Sequence, residues 1–133
     1  MVTYTTPIKY VHYNPNPKNQ YDSGDCVIRA ICKATDKDWD TVYMGIVTQG
    51  FIDKMMPSLN PVWDRYLINN GFKKRYLPEC PDCITVKGFA ERYPKGKYIV
   101  ATGSHAVAIV DGKYYDSFDS GDYILLYYFE EGN

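Results

Sequence analysis

The sequence predicts an α+β domain in which N-terminal helices pack on a C-terminal antiparallel β-sheet, and three observations predict it. Apolar residues recur at helical spacing through the first two thirds of the chain. β-branched and aromatic residues, punctuated by Asp-Gly and Ser-Gly turns, fill the last third. The 133 residues, 45% hydrophobic and 23% charged, suit one soluble core and are too few for two ordinary ones. Residues 1–133 are therefore read as a single domain.

The elements follow in order. Residues 12–25, "HYNPNPKNQYDSGD", are dense in Asn, Pro, Asp and Gly and predict an ordered or extended loop, with His12 in it. Val27, Ile28, Ile31, Cys32 and Ala34 then recur at helical spacing, which predicts a helix from 26 to about 34 with this face inward. Asp38 is placed to cap a second helix whose inward stripe is Trp39, Val42, Tyr43 and Ile46. In "NPVWDRYLINNG", Asn60 reads as a cap, Pro61 as the first helical residue and Gly71 as the stop. Thr85, followed by Val86, Phe89, Ala90 and Tyr93 and ended by Pro94, predicts a short fourth helix. From Lys97 onward a three- or four-stranded antiparallel meander is expected, with the tyrosine-rich "YILLYYF" as its last strand. Segments 50–60 and 76–84 are expected to lie over a cleft.

Composition excludes several functions. A net charge of −1 offers no electrostatic footprint for nucleic acid, and the one basic run, Lys73 to Arg75, reads as a solvated strand or loop. The opening "MVTYTTPIKY" has neither a charged and apolar leader pattern nor a bilayer-spanning run, so a cytoplasmic protein without membrane attachment is expected. In that compartment the four cysteines should be thiols. Cys80-Pro-Asp-Cys83 has the spacing of half a zinc knuckle, but the second pair of ligands is missing, and neither a metal nor another cofactor is expected.

Asp111-Gly112 is the clearest turn signal, since a two-residue type I′ loop needs positive φ twice and this dipeptide tolerates it. The loop fixes a register: Val110 opposite Lys113, Ile109 opposite Tyr114, Val107 opposite Asp116 and His105 opposite Phe118. One face then carries both His105 and Asp116, on a diagonal that leaves roughly 6 to 8 Å between Cβ atoms. Imidazole and carboxylate can close that gap. Asp119 has the wrong parity and Asp111 is used in the turn.

Taken together, the chain offers a cysteine at a helix start, a histidine on a strand and an acid beside that histidine. Cys26 follows a polar turn and opens the helix, whereas Cys32 falls on its apolar face and reads as core. Free N–H groups at a helix start and a neighbouring imidazolium lower a thiol pKa from about 8.5 toward neutrality. His105 would take the thiol proton and return it to the leaving group, and Asp116 would hold the imidazole in one orientation.

On these residues the chain resembles a minimal papain-like cysteine peptidase, nearest to the bacteriocin-processing C39-type peptidases. The shared pattern is Gln20 ahead of Cys26, the Asp25-Cys26 pair opening the first helix, and His105 followed by Asp116 on the next strand. The resemblance implies a papain-like fold and a Cys26, His105, Asp116 triad. It also implies an oxyanion hole formed by the Gln20 side chain and the Cys26 amide. Val27 departs from the pattern, since C39-type members carry glycine there. The function expected is hydrolysis of a peptide or isopeptide bond in a peptide or protein substrate, through an acyl-enzyme. Two other readings stand beside it: acyl transfer of the transglutaminase or arylamine acetyltransferase kind, which uses the same residue order, and a non-catalytic partner-binding module on the same scaffold.

Overall fold

A six-stranded mixed sheet, in the order β1-β5-β4-β3-β6-β2, organises the molecule. Its strands are β1 (Tyr10–His12), β2 (Phe72–Tyr76), β3 (Lys97–Ala101), β4 (Ala106–Val110), β5 (Lys113–Asp116) and β6 (Tyr127–Glu131). The helices are α1 (Cys26–Thr35), α2 (Trp39–Asp53), α3 (Asn60–Asn69) and α4 (Val86–Arg92). This computed structural model describes residues 9–20, 23–77 and 83–132.

Alternation along the central strands explains how the helices are distributed. Ile99, Ala101, Ala106 and Ala108 share one core with α1, α2 and α3, and small residues at three of these four positions let α1 lie close to the sheet. Val100, Val107 and Ile109 point the other way, into a second core with Val86, Phe89 and Ala90 of α4. Both faces of the sheet are thus covered, and β3 and β4 are apolar on both sides.

The helix signals correspond to structure with local differences. The Asp38 carboxylate accepts the Thr41 N–H at 2.8 Å at the head of α2, and Thr85 accepts the Gly88 N–H at 3.0 Å at the head of α4. In α3 the cap is Leu59, so Asn60 is already inside the helix, where its Oδ1 accepts the Trp63 indole N–H at 3.0 Å. Val42 and Ile46 of α2 are buried, but Tyr43 is 43% exposed and stacks on Trp39 with ring centroids 4.9 Å apart. On α1 the buried set includes Arg29, which the apolar stripe does not predict, while Val27 and Ile28 are only half-buried.

The hairpin register is the one the turn dictates: Val110 faces Lys113, Ile109 faces Tyr114 and Ala108 faces Tyr115. Asp111 and Gly112 have φ of 51° and 80°. The meander, by contrast, needs correction. β6 crosses back to pair with β3 and then carries β2, and Tyr123 to Leu126 lie before it as irregular chain with one bridge between Ile124 and Thr85. The segment read as a loop around His12 contributes β1, which pairs parallel to β5 and makes the sheet mixed. Three residues are too short for alternation to announce a strand.

The basic run lies in β2, where Lys74 meets Asp64 at 2.7 Å and Arg75 meets Glu130 at 2.7 Å. Not all the cysteines are thiols, since Cys83 is disulfide-bonded while Cys26 and Cys32 are free. Cys80, the other half of that CxxC, lies outside the described residues. Among the described residues no helix is long and apolar enough to cross a membrane, and no group of three or more His, Cys, Asp or Glu could hold a metal ion.

Candidate active site

The loop before α1 is ordered by its own asparagines. Asn16 Oδ1 accepts the Lys18 N–H at 2.9 Å, Asn14 donates to the Gln20 carbonyl at 2.9 Å, and Asn16 Nδ2 reaches Asp25 at 3.1 Å. Asp25, which is 5% exposed, also accepts the Trp39 indole N–H at 2.8 Å and pairs with Arg29 one turn into α1. Burial works against ionisation of Asp25, but hydrogen bonds from Ser23, Trp39 and Asn16, with the Arg29 charge, hold its pKa below the ordinary value. The carboxylate clamps the loop to the helix, and Cys26 is the next residue.

His105 is presented by the short connection between β3 and β4. Thr102 Oγ1 accepts the His105 N–H at 3.0 Å, and the Thr102 N–H donates to the His105 carbonyl at 2.8 Å. The ring then lies just ahead of β4, with Phe118 and Tyr123 against it at centroid distances of 5.1 and 5.6 Å. Its Nε2 meets Asp116 Oδ2 at 2.6 Å. Asp116 is 2% exposed at the end of β5, and both its oxygens are used. Oδ1 accepts the Ser117 N–H at 2.7 Å, while Oδ2 accepts Ser120 Oγ at 2.8 Å beside the imidazole. Asp119 instead accepts the Tyr114 hydroxyl and Asp111 accepts the Gly96 N–H, so neither competes for His105.

With Nε2 on Asp116, Nδ1 is the ring nitrogen left for Cys26. Burial raises the Cys26 pKa, but hydrogen bonds from His105 and the Ala106 amide and the charges of His105 and Arg29 outweigh it, and the net shift is downward. Burial alone would lower His105, yet the bonds to Asp116 and Cys26 push it up to about 9. The two shifts favour a thiolate and imidazolium together. Cys32 behaves as a core thiol: it is 1% exposed, and burial followed by the charges of Asp38 and Asp25 pushes it up to about 12.

A cleft of about 710 Å³ opens beside the head of α1, between the Asn-rich loop, α2 and the 56–58 turn. Its walls include Gln20, Asp25, Val27, Ile28, Trp39 and Met56, but none of Cys26, His105 and Asp116 lines it. Gln20 is exposed, and among the described residues its side-chain amide makes no hydrogen bond. The segment 50–60 does border this cleft, through Met56 to Ser58, although its first four residues belong to α2. Of segment 76–84, residues 78–82 lie outside the described chain. His12 sits on β1 directly beside Asp116, with the Tyr10 hydroxyl 3.3 Å from its Nδ1.

Several residues at this centre were not read from sequence. Ser120 belongs to a turn whose partner is chosen only by the fold. Tyr123 reads as a strand aromatic, whereas Phe118, placed opposite His105 by the hairpin count, does lie against its ring. Arg29 had a usable signal, an Asp-to-Arg spacing of four residues on one helix with Cys26 between them. Among known proteins, no family model, curated protein or solved structure matches this chain.

Proposed function

We propose that the protein is a small papain-like thiol hydrolase that cleaves a peptide or isopeptide bond. The observation that carries this reading is the 2.6 Å bond between His105 Nε2 and Asp116 Oδ2, together with a Cys26 pKa that His105 lowers and an imidazole pKa that is raised. A core histidine needs no thiolate beside it, and a core cysteine has its pKa pushed up, as Cys32 does.

The Cys26 thiolate attacks the carbonyl carbon of the scissile amide, forming the S–C bond as the carbonyl electrons move to oxygen. That oxyanion is received by the Cys26 amide, which has no intrahelical partner at the first residue of α1, and by the Gln20 side chain. As the C–N bond breaks, the His105 imidazolium gives its proton to the leaving amine. A water, losing its proton to His105, then attacks the thioester. Breaking the S–C bond releases the acid and restores the thiolate and imidazolium. Asp116 holds the ring for both proton transfers, and Phe118 and Tyr123 keep water from the His105 to Asp116 bond.

The test is a peptidyl electrophile and a peptide library applied to the parent and to Cys26→Ala. A single adduct on Cys26, with cleavage lost in the variant, is the expected result. Cleavage that survives in Cys26→Ala, or an adduct that maps to another residue, overturns the assignment. Incorporation of an added amine in place of water would move the reaction to acyl transfer by the same residues.

A further inference from the structure

Arg29 is a guanidinium only 6% exposed, one turn into α1 from Cys26, and the mechanism above gives it no task. It pairs directly with Asp25, and its NH2 lies 3.8 Å from Asp116 Oδ1. Its Nε is buried and has no hydrogen-bond partner among the described residues. An apolar side chain of the same length would fill this space without stranding a donor, so packing does not account for the residue.

We propose that Arg29 is a positioning residue, which ties the carboxylate of Asp116 on β5 to that of Asp25 at the head of α1 and so sets how Asp116 meets His105. The inference rests on the thiol hydrolase reading for its catalytic meaning, though the geometry it concerns can be measured without activity.

Cys26 and His105 come from different elements, and their alignment depends on where the head of α1 sits relative to the ends of β4 and β5. Asp25 anchors the first, through Asn16, Trp39 and Arg29. Asp116 anchors the second, through Ser117, Ser120 and His105. Arg29 is the side chain common to both. Without it, two buried carboxylates face each other across the space it fills, and either they move apart or one takes up a proton. Separation of the two, or a proton on Asp116, loosens the grip of Asp116 on the imidazole. The charged and titratable groups around Arg29, Asp116 and His105 are Asp25 ahead of α1, Cys26 and Arg29 from α1, Asp116 from β5, His12 from β1 beside Asp116, and Tyr123 against the His105 ring.

The sign of one measurement separates positioning from simple charge. Removing a positive charge should raise the pH at which His105 titrates, whereas losing a well-placed Asp116 should lower it. The chain holds two histidines, so the 15N imidazole signals can be followed through a pH titration, with His105→Gln identifying which is which. Arg29→Met is expected to lower the His105 midpoint by about one pH unit or more, with Arg29→Lys in between. Alkylation of Cys26 at pH 7 should slow about ten-fold in Arg29→Met. A folded Arg29→Met protein whose His105 titrates as in the parent, or at higher pH, overturns the proposal. Should Arg29→Met fail to fold, Arg29→Lys carries the test, and a parent-like midpoint in it overturns the proposal equally. A parent in which Cys26 is unreactive would defeat the hydrolase reading, while the His105 titrations would still decide the role of Arg29.

Discussion

At the scale of single residues, the site turns on how two half-buried groups share protons. The Cys26 pKa is lowered and that of His105 raised to about 9. Hydrolysis needs thiolate to attack and imidazolium to protonate the leaving amine, so the rate should rise as pH climbs through the lowered Cys26 value and fall as His105 loses its proton near 9. Alkylation by a neutral electrophile needs only thiolate and should share the acid limb without the fall. Measuring both profiles on one preparation checks this, and a hydrolysis rate that stays level well above pH 9 would remove His105 as the acid. Asp116→Asn makes a second test. Both Asp116 oxygens accept hydrogen bonds, so an amide in that place must turn a donor toward either Ser117 N–H or the imidazole. The expected loss is about 1 to 3 kcal/mol of stability by urea denaturation, together with a rate loss between about 10- and 10⁴-fold. A variant with parent-like stability and rate would show that neither hydrogen bond is tight.

At the scale of elements, the hairpin is what brings His105 and Asp116 together. A two-residue turn counted outward on both strands predicts their shared diagonal, and the observed register runs through Val110 and Lys113 as that count requires. This part of the site was legible because a hairpin converts sequence distance directly into spatial distance. The clamp behind Cys26 was not, because Asp25, Trp39 and Asn16 meet across separate elements and no periodicity relates them. β1 was missed for the same reason: its three residues are held by pairing with β5, and the pattern of their own side chains carries no strand signal. The hairpin also exposes a weak point. Gly112 has φ of 80°, and a Cβ there would stand 3.3 Å from the Pro94 Cα. Gly112→Ala should therefore cost about 1 kcal/mol or more, and since the turn sets the register, Cys26 alkylation should slow with it. Equal stability and reactivity in variant and parent would mean that the strands are aligned by the cores alone.

Across the whole molecule, the two cores divide the work unequally. α1, α2 and α3 share one face of the sheet and supply Cys26 and the cleft, whereas α4 covers the other face and supplies no candidate site residue. The α+β class was legible from two regional patterns, but the coverage of both faces was not. A double-sided strand such as "YIVA" or "AVAIV" reads as a plain apolar run, which does not say how many layers bury it. Phe89 is the test of this division. It is fully buried in the second core, with its ring against Tyr93, Tyr98 and Tyr128, none of them a candidate site residue. Phe89→Ala should remove about 3 to 5 kcal/mol of stability through lost contacts and the cavity left behind. Below its lowered unfolding transition, however, the acid limb of Cys26 alkylation should stay where the parent has it, because no group that sets the thiol pKa has moved. Far-ultraviolet circular dichroism and Cys32 labelling should report a single unfolding transition, since Cys32 is buried in the first core while the lesion is in the second. If Phe89→Ala shifts the alkylation limb in the folded protein, strain crosses the sheet from α4 to α1, and β4 and β5, which each contact both helices, are the elements that transmit it.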